Sequence, residues 1–107
     1  MPRRRRFTIL FAPETLAHLD VIERKDHRLI RQTIEKQLSF LPGQVTRNRK
    51  PLEQPAPFDA TWELRFGPGH RFRVFYEVDS STRVIHVLAI GVKERNRLRI
   101  GGEEFEP

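Results

Sequence analysis

Cysteine is absent from the 107 residues, which excludes a disulfide framework, a thiolate-ligated zinc and a thiol nucleophile. No apolar run approaches the roughly 20 residues needed to cross a bilayer. The apolar stretch at 7–12, after the arginines Arg3 to Arg6, is too short for the core of a secretory signal. The expected compartment is therefore the cytoplasm, without a membrane partner. Histidine is sparse: His18, His27, His70 and His86 stand apart without ligand spacing, so no metal and no cofactor is expected. Glycine is sparse too. Gly67 and Gly69 flank Pro68 as a turn and do not make a phosphate-cradling loop.

Positive charge is what the chain has in excess. Twenty Lys and Arg face fourteen Asp and Glu, a formal charge of +6, and Glu103, Glu104 and Glu106 crowd the acidic end. Residues 1–102 hold the same twenty cations against eleven acids, a net +9. Sixteen of the cations are Arg, whose planar fork matches phosphate and stacks on bases, whereas solubility would be served as well by Lys. That balance points to a nucleic-acid partner.

The length suits one folding unit, residues 1–107, with a short basic N-terminal arm and an acidic C-terminal tail. Residues 7–11 are β-branched and aromatic and stop at Ala12-Pro13, which predicts a strand running into a helix. Leu16, Leu19 and Ile22 recur at threes and predict the buried face of a first helix ending near Arg24. Asp26 reads as the N-cap of a second helix that buries Ile30, Ile34, Leu38 and Leu41 and stops at Pro42-Gly43. Residues 42–61 hold four prolines and the cations Arg47, Arg49 and Lys50, and are expected as a loop displaying charge. Residues 62–66 and 71–78 alternate around a Gly-Pro-Gly turn as a hairpin, and Ser80-Ser81 marks the next turn. Residues 84–90, apolar at nearly every position, read as a central strand covered on both faces, which would make His86 a core histidine. The predicted class is α+β: an N-terminal strand, a helical hairpin, then a three-strand antiparallel meander.

Strand periodicity assigns faces. Trp62, Leu64, Phe66, Val74 and Tyr76 point toward the helices. The opposite face receives Glu63, Arg65, Arg71, Arg73, Phe75 and Glu77, where arginines could hold phosphate and Phe75 could stack a base. Arg47, Arg49 and Lys50, together with Arg95, Arg97 and Arg99 from a loop after the last strand, are expected to form a basic RNA-binding rim around that face.

The order Arg-Lys-Pro-Leu, Trp-Glu-Leu-Arg, Arg-Val-Phe-Tyr-Glu-Val and Val-Leu-Ala-Ile-Gly-Val-Lys-Glu-Arg resembles the RelE/ParE superfamily of toxins from type II toxin–antitoxin systems, over residues 7–95. The resemblance implies a βααβββ fold and a cognate antitoxin protein as partner. It also implies one of two activities: ribosome-dependent endonuclease cleavage of messenger RNA, as in RelE-like members, or inhibition of DNA gyrase without nuclease chemistry, as in ParE-like members. A third possibility is an inactive RNA- or partner-binding module. Carried over by position, Arg65, Arg73 and Lys93 are the implied catalytic residues. The sequence departs from cleaving members in one respect: no tyrosine follows the last strand, where Arg97, Leu98 and Arg99 stand instead. Arginine stays protonated and is no general base. Glu94, Glu77 and His70 are the candidates left for that role.

Overall fold

The computed structural model describes residues 5–106, so Arg3 and Arg4 of the expected basic arm lie outside the described residues. The chain runs β1 (Thr8–Phe11), α1 (Glu14–Asp20), α2 (Arg24–Leu38), β2 (Arg49–Pro51), β3 (Trp62–Phe66), β4 (Phe72–Asp79), β5 (Val84–Glu94), β6 (Arg97–Ile100) and β7 (Glu103–Glu104). This is the expected α+β class, with more sheet than the sequence suggested. Among the described residues the sheet has seven strands in the order β2-β3-β4-β5-β6-β7, all antiparallel, while β1 lies parallel to β5.

The additional strands come from the expected acidic tail, whose Glu103–Glu104 pairs with β6 as β7, and from two segments expected as loops. β2 is only three residues long and sits within the proline-rich stretch, where Pro51 is tolerated because an edge strand needs no donor on its outer side. The other segment continues β5 to Glu94, turns at Arg95-Asn96 and returns as β6. Both turn residues are left-handed, with φ 50° and 65°, the geometry of a tight hairpin whose twist matches its strands. Residues 91–99 are therefore a β-hairpin and not a loop. At Asp79 the expected turn chemistry is present, with the Ser81 hydroxyl donating to the Asp79 carboxylate at 2.7 Å.

The helices cover one sheet face. Ile30, Ile34 and Leu38 of α2 are buried at the predicted spacing against Leu64, Val74 and Ile85. Leu41 does not belong to that stripe, since α2 ends at Leu38 and Leu41 is 40% exposed. Asp26 lies in the first turn of α2 and Glu23 takes the cap position. Tyr76, fully buried below the sheet, donates its hydroxyl to the Pro42 carbonyl at 3.0 Å and ties the segment after α2 to the sheet. The other face carries a smaller apolar layer, with Phe75 and Ala89 buried beneath Leu52, Leu98 and Phe105. β5 is thus central and covered on both sides, as its composition predicted.

The first helix buries only part of the face expected of it: Leu19 packs against the core and Ile22, just beyond the helix end, is buried, but Leu16 is not. Leu16 is 70% exposed, and the buried residues of α1 are Thr15 and His18. The reason is a gap in the sheet. β1 pairs with residues 84–87 of β5 and β6 with residues 91–94, which leaves the Ile90 N–H between them without a strand partner. Orphan buried N–H groups are costly, and α1 supplies the acceptor: Ile90 N–H donates to His18 Nδ1 at 3.2 Å. The histidine buried in the core is His18, and His86 is only half-buried on the other face. His27 has a related role, with Nε2 2.8 Å from both the Leu19 and Ile22 carbonyls at the end of α1.

Burial lowers the His18 pKa from its ordinary 6.5, against an opposing pull from Glu14. A histidine kept neutral in the folded state contributes fully above its unfolded pKa, and stability falls as acidification protonates the unfolded chain. The melting temperature should therefore hold near neutral pH and decline below about pH 6.5. His18→Leu should flatten that part of the acid limb and lower stability by about 1–3 kcal/mol, through the unpaired Ile90 N–H. A parallel decline in both proteins would remove His18 from the account.

Candidate nucleic-acid interface

Register determines which side chains meet on the face away from the helices. Lys50 stands opposite Glu63, Arg65 opposite Arg73, Arg73 opposite Gly91, and Lys93 opposite Leu98. Four strands therefore deliver Lys50, Glu63, Arg65, Arg73 and Lys93 to one side. With the 52–57 segment above them, they line an open cleft of about 360 Å³. The backbone holds these positions firmly. Asn48 accepts the Arg65 N–H at its carbonyl (2.8 Å) and donates its amide to the Arg65 carbonyl (2.9 Å), while the Lys93 N–H donates to the Arg71 carbonyl at 2.7 Å. Gly91 is needed where β6 approaches: a Cβ there would lie 2.8 Å from the Arg99 carbonyl oxygen.

Two arginines directly opposite one another on adjacent strands repel. Glu63, only 6% exposed, relieves this by reaching both: its Oε1 is 3.6 Å from Arg65 Nε and its Oε2 is 3.5 Å from Arg73 Nη1. Arg73, 9% exposed, also donates from Nε to the His70 carbonyl at 2.7 Å. Glu63 Oε1 and Arg65 Nε are buried without a hydrogen-bond partner. Four cations, Lys50, Arg65, Arg73 and Lys93, and two carboxylates, Glu53 and Glu63, line the cleft, which leaves it a net positive charge. Such a cluster suits an anionic group, because charge-assisted hydrogen bonds to phosphate offset the mutual repulsion of the cations.

The expected basic rim is only partly present. Lys50 lines the cleft, but Arg49 points to the helix side. It is buried there, donating from Nη1 to the Gln37 carbonyl (2.8 Å) and the Leu41 carbonyl (3.0 Å), where a cation meets the negative end of α2. Arg97 and Arg99 alternate with Leu98 and Ile100 on β6, so they face away from the cleft, and Arg97 pairs with Glu104 at 3.7 Å. Arg47 and Arg95 are exposed and do not line it. Phe75 is 1% exposed beneath the second apolar layer and is not free to stack a base.

None of the three substitutes for the missing base lines the cleft. Glu94 pairs with Arg71 at 3.3 Å on the helix side, and Glu77 lies opposite His86 farther along β4. His70 contributes its carbonyl to Arg73. Tyr76 is on the core side, and burial pushes its phenol far above the ordinary range despite the opposing Arg49 charge. No cluster of histidine and carboxylates able to hold a metal occurs among the described residues. The sequence reading missed the central position of Glu63 between the arginines, and it missed Asn96 and Phe105, which also line the cleft. The only sequence signal for Phe105 was an aromatic residue placed alone among acids.

A family model, described as the ParE toxin of the type II toxin-antitoxin system parDE, matches residues 9–97. No curated protein matches the sequence. Among solved structures, the chain is similar to one in the crystal structure of the toxin-antitoxin complex RelBE2 from Mycobacterium tuberculosis, at a TM-score of 0.68 and 18% identity. That similarity covers 87% of this chain and 98% of the other and concerns the fold.

The two arginines should separate in chemical denaturation. Arg73→Ala removes, among the described residues, the only hydrogen bond to the buried Glu63 carboxylate, leaving it the longer contact with Arg65, and should cost about 3–5 kcal/mol. Arg65→Ala leaves Glu63 paired with Arg73 and should cost under about 1 kcal/mol. Equal losses would show that Glu63 does not depend on Arg73.

Proposed function

Because the chain belongs to the ParE toxin family of type II toxin–antitoxin systems, we propose that it arrests growth by cleaving messenger RNA on the ribosome until a cognate antitoxin covers it. The observation that carries this reading is the convergence of Lys50, Arg65, Arg73 and Lys93 on one cleft. In the proposed reaction the 2′-hydroxyl oxygen of a ribose attacks the adjacent phosphorus. The bond to the 5′-oxygen breaks, leaving a 2′,3′-cyclic phosphate and a 5′-hydroxyl end. Arg65 and Arg73 hold the non-bridging oxygens as negative charge grows on them, and Lys93 supports the departing oxygen. The 2′-hydroxyl proton passes to water and the 5′-oxygen takes one back. Lys50 grips a neighbouring phosphate. The work is done where messages are translated, in the cytoplasm, and it requires no metal or cofactor.

A specific observation favours a second reading, inhibition of DNA gyrase without nuclease chemistry. Of the two carboxylates that line the cleft, Glu63 is held between the arginines and Glu53 is exposed on the 52–57 segment outside the ion-pair cluster, and the only tyrosine is buried on the other side of the sheet. Electrostatic stabilisation is well provided for and proton removal is not.

Induction in a bacterial host separates the two. Cleavage predicts messages with new 5′-hydroxyl ends at codon-related positions within minutes. Intact messages with relaxed plasmids or broken chromosomes would replace this reading with the gyrase one. Arg65→Ala and Lys93→Ala should each lower the cleavage rate about 100- to 1000-fold while the protein stays folded. The affinity for a single-stranded RNA should fall with salt at a log–log slope of about −3, for four cleft cations at roughly 0.7 each.

A further inference from the structure

We propose that the wall of this cleft facing the cations is a nucleobase subsite, with Phe105 the ring on which the base stacks and Asn96 the amide that meets its edge. The proposal rests on the RNA reading above and says how one nucleotide is held there.

The cleft is two-sided. Lys50, Arg65, Arg73 and Lys93 give one side of its lining an excess of positive charge suited to a phosphate. The rest is apolar, formed by Leu52, Leu98 and Phe105. A bare phosphate would use only the first part. A nucleotide uses both, its phosphate on the guanidinium groups and its base on the apolar wall, and the 360 Å³ available is within the range of small-ligand sites.

Phe105 is the aromatic residue in position to take a base. Phe75 is buried, whereas Phe105 is half-buried, so part of its surface is covered by the second apolar layer and part remains open. Its location is fixed by the backbone: β7 pairs with β6, and the Phe105 N–H donates to the Leu98 carbonyl at 2.8 Å. Asn96, exposed at the tip of the β5–β6 hairpin, offers both a donor and an acceptor, as a base edge requires. β7, Leu98 and Phe105 lie beyond the residues 9–97 that match the family, whereas Leu52 and Asn96 lie within them, so the stacking ring is contributed from outside the matched region.

The test uses the full chain and a short single-stranded RNA carrying 2-aminopurine, 2′-O-methylated so that it is not cut. Its fluorescence drops when the base stacks. Wild type should bind and quench it. Phe105→Leu should weaken binding about 10-fold and abolish the quench, Phe105→Trp should retain both, and an abasic version of the RNA should bind wild type and Phe105→Leu alike. A general loss of folding in Phe105→Leu would instead weaken the abasic RNA equally, which overturns the stacking role. Unchanged or tighter binding by Phe105→Leu also overturns it, the second result showing that the ring obstructs the cleft. Absence of saturable RNA binding by wild type at low salt would overturn the RNA reading itself. Wild-type binding that survives loss of the Phe105 ring would spare that reading and remove only the subsite.

Discussion

β5 touches β1, β4, β6 and α1, and the break in its outer pairing is the constraint that the other elements satisfy. β1 stops before Ile90 and β6 begins after it, so one N–H in the middle of a buried strand needs an acceptor from elsewhere. Meeting that need with His18 draws α1 against the sheet edge, buries Thr15 beside it and turns Leu16 outward. It also leaves the remainder of that edge, Gly91 to Glu94, to β6 and its hairpin at the mouth of the cleft. A longer β1 would satisfy the same N–H directly, but it would run into the end of β6, where Ile100 pairs with Gly91.

The cleft shows the complementary problem on the opposite face. Placing Arg65 across from Arg73 concentrates charge where a ligand can use it, at the expense of repulsion in the empty protein. A single carboxylate between them lowers that repulsion without cancelling the field. Burying Glu63 makes the attraction stronger than an exposed pair would give, and it fixes the direction of Arg73, whose other contact is a backbone carbonyl. Arg65, whose side chain is more exposed than that of Arg73, is the guanidinium left available.

Most of the architecture was legible because it rests on periodicity. The α2 stripe, the β3–β4 hairpin and the doubly covered β5 each followed from apolar spacing, and the alternation in β3 and β4 correctly put Arg65 and Arg73 together. What failed depended on contacts distant in sequence. Leu16 looks like part of one core face with Leu19 and Ile22 until the unpaired Ile90 N–H is known, and Arg49 looks like part of a basic run until its carbonyl partners at the end of α2 are seen. Phe75 was placed on the correct face but assumed to be open. Nothing local to β4 announces that Leu52, Leu98 and Phe105, from three separate segments, close over it. Arg97 and Arg99 were misplaced for a simpler reason, because reading residues 91–99 as a loop discarded the alternation that turns both away.

The parallel pairing of β1 with β5 has a consequence for the order in which the chain becomes competent during its own synthesis. Thr8 waits for Val84, and the apolar stripe of α2 waits for Val87 and Ile90, which emerge about 50 residues after Leu38. At about 5–20 residues per second this is an interval of several seconds in which the helices exist without the sheet that covers them. Lys93 arrives later still, so the cationic cleft is among the last features to form. A protein that recognises the helical hairpin meets the nascent chain before there is a site to neutralise.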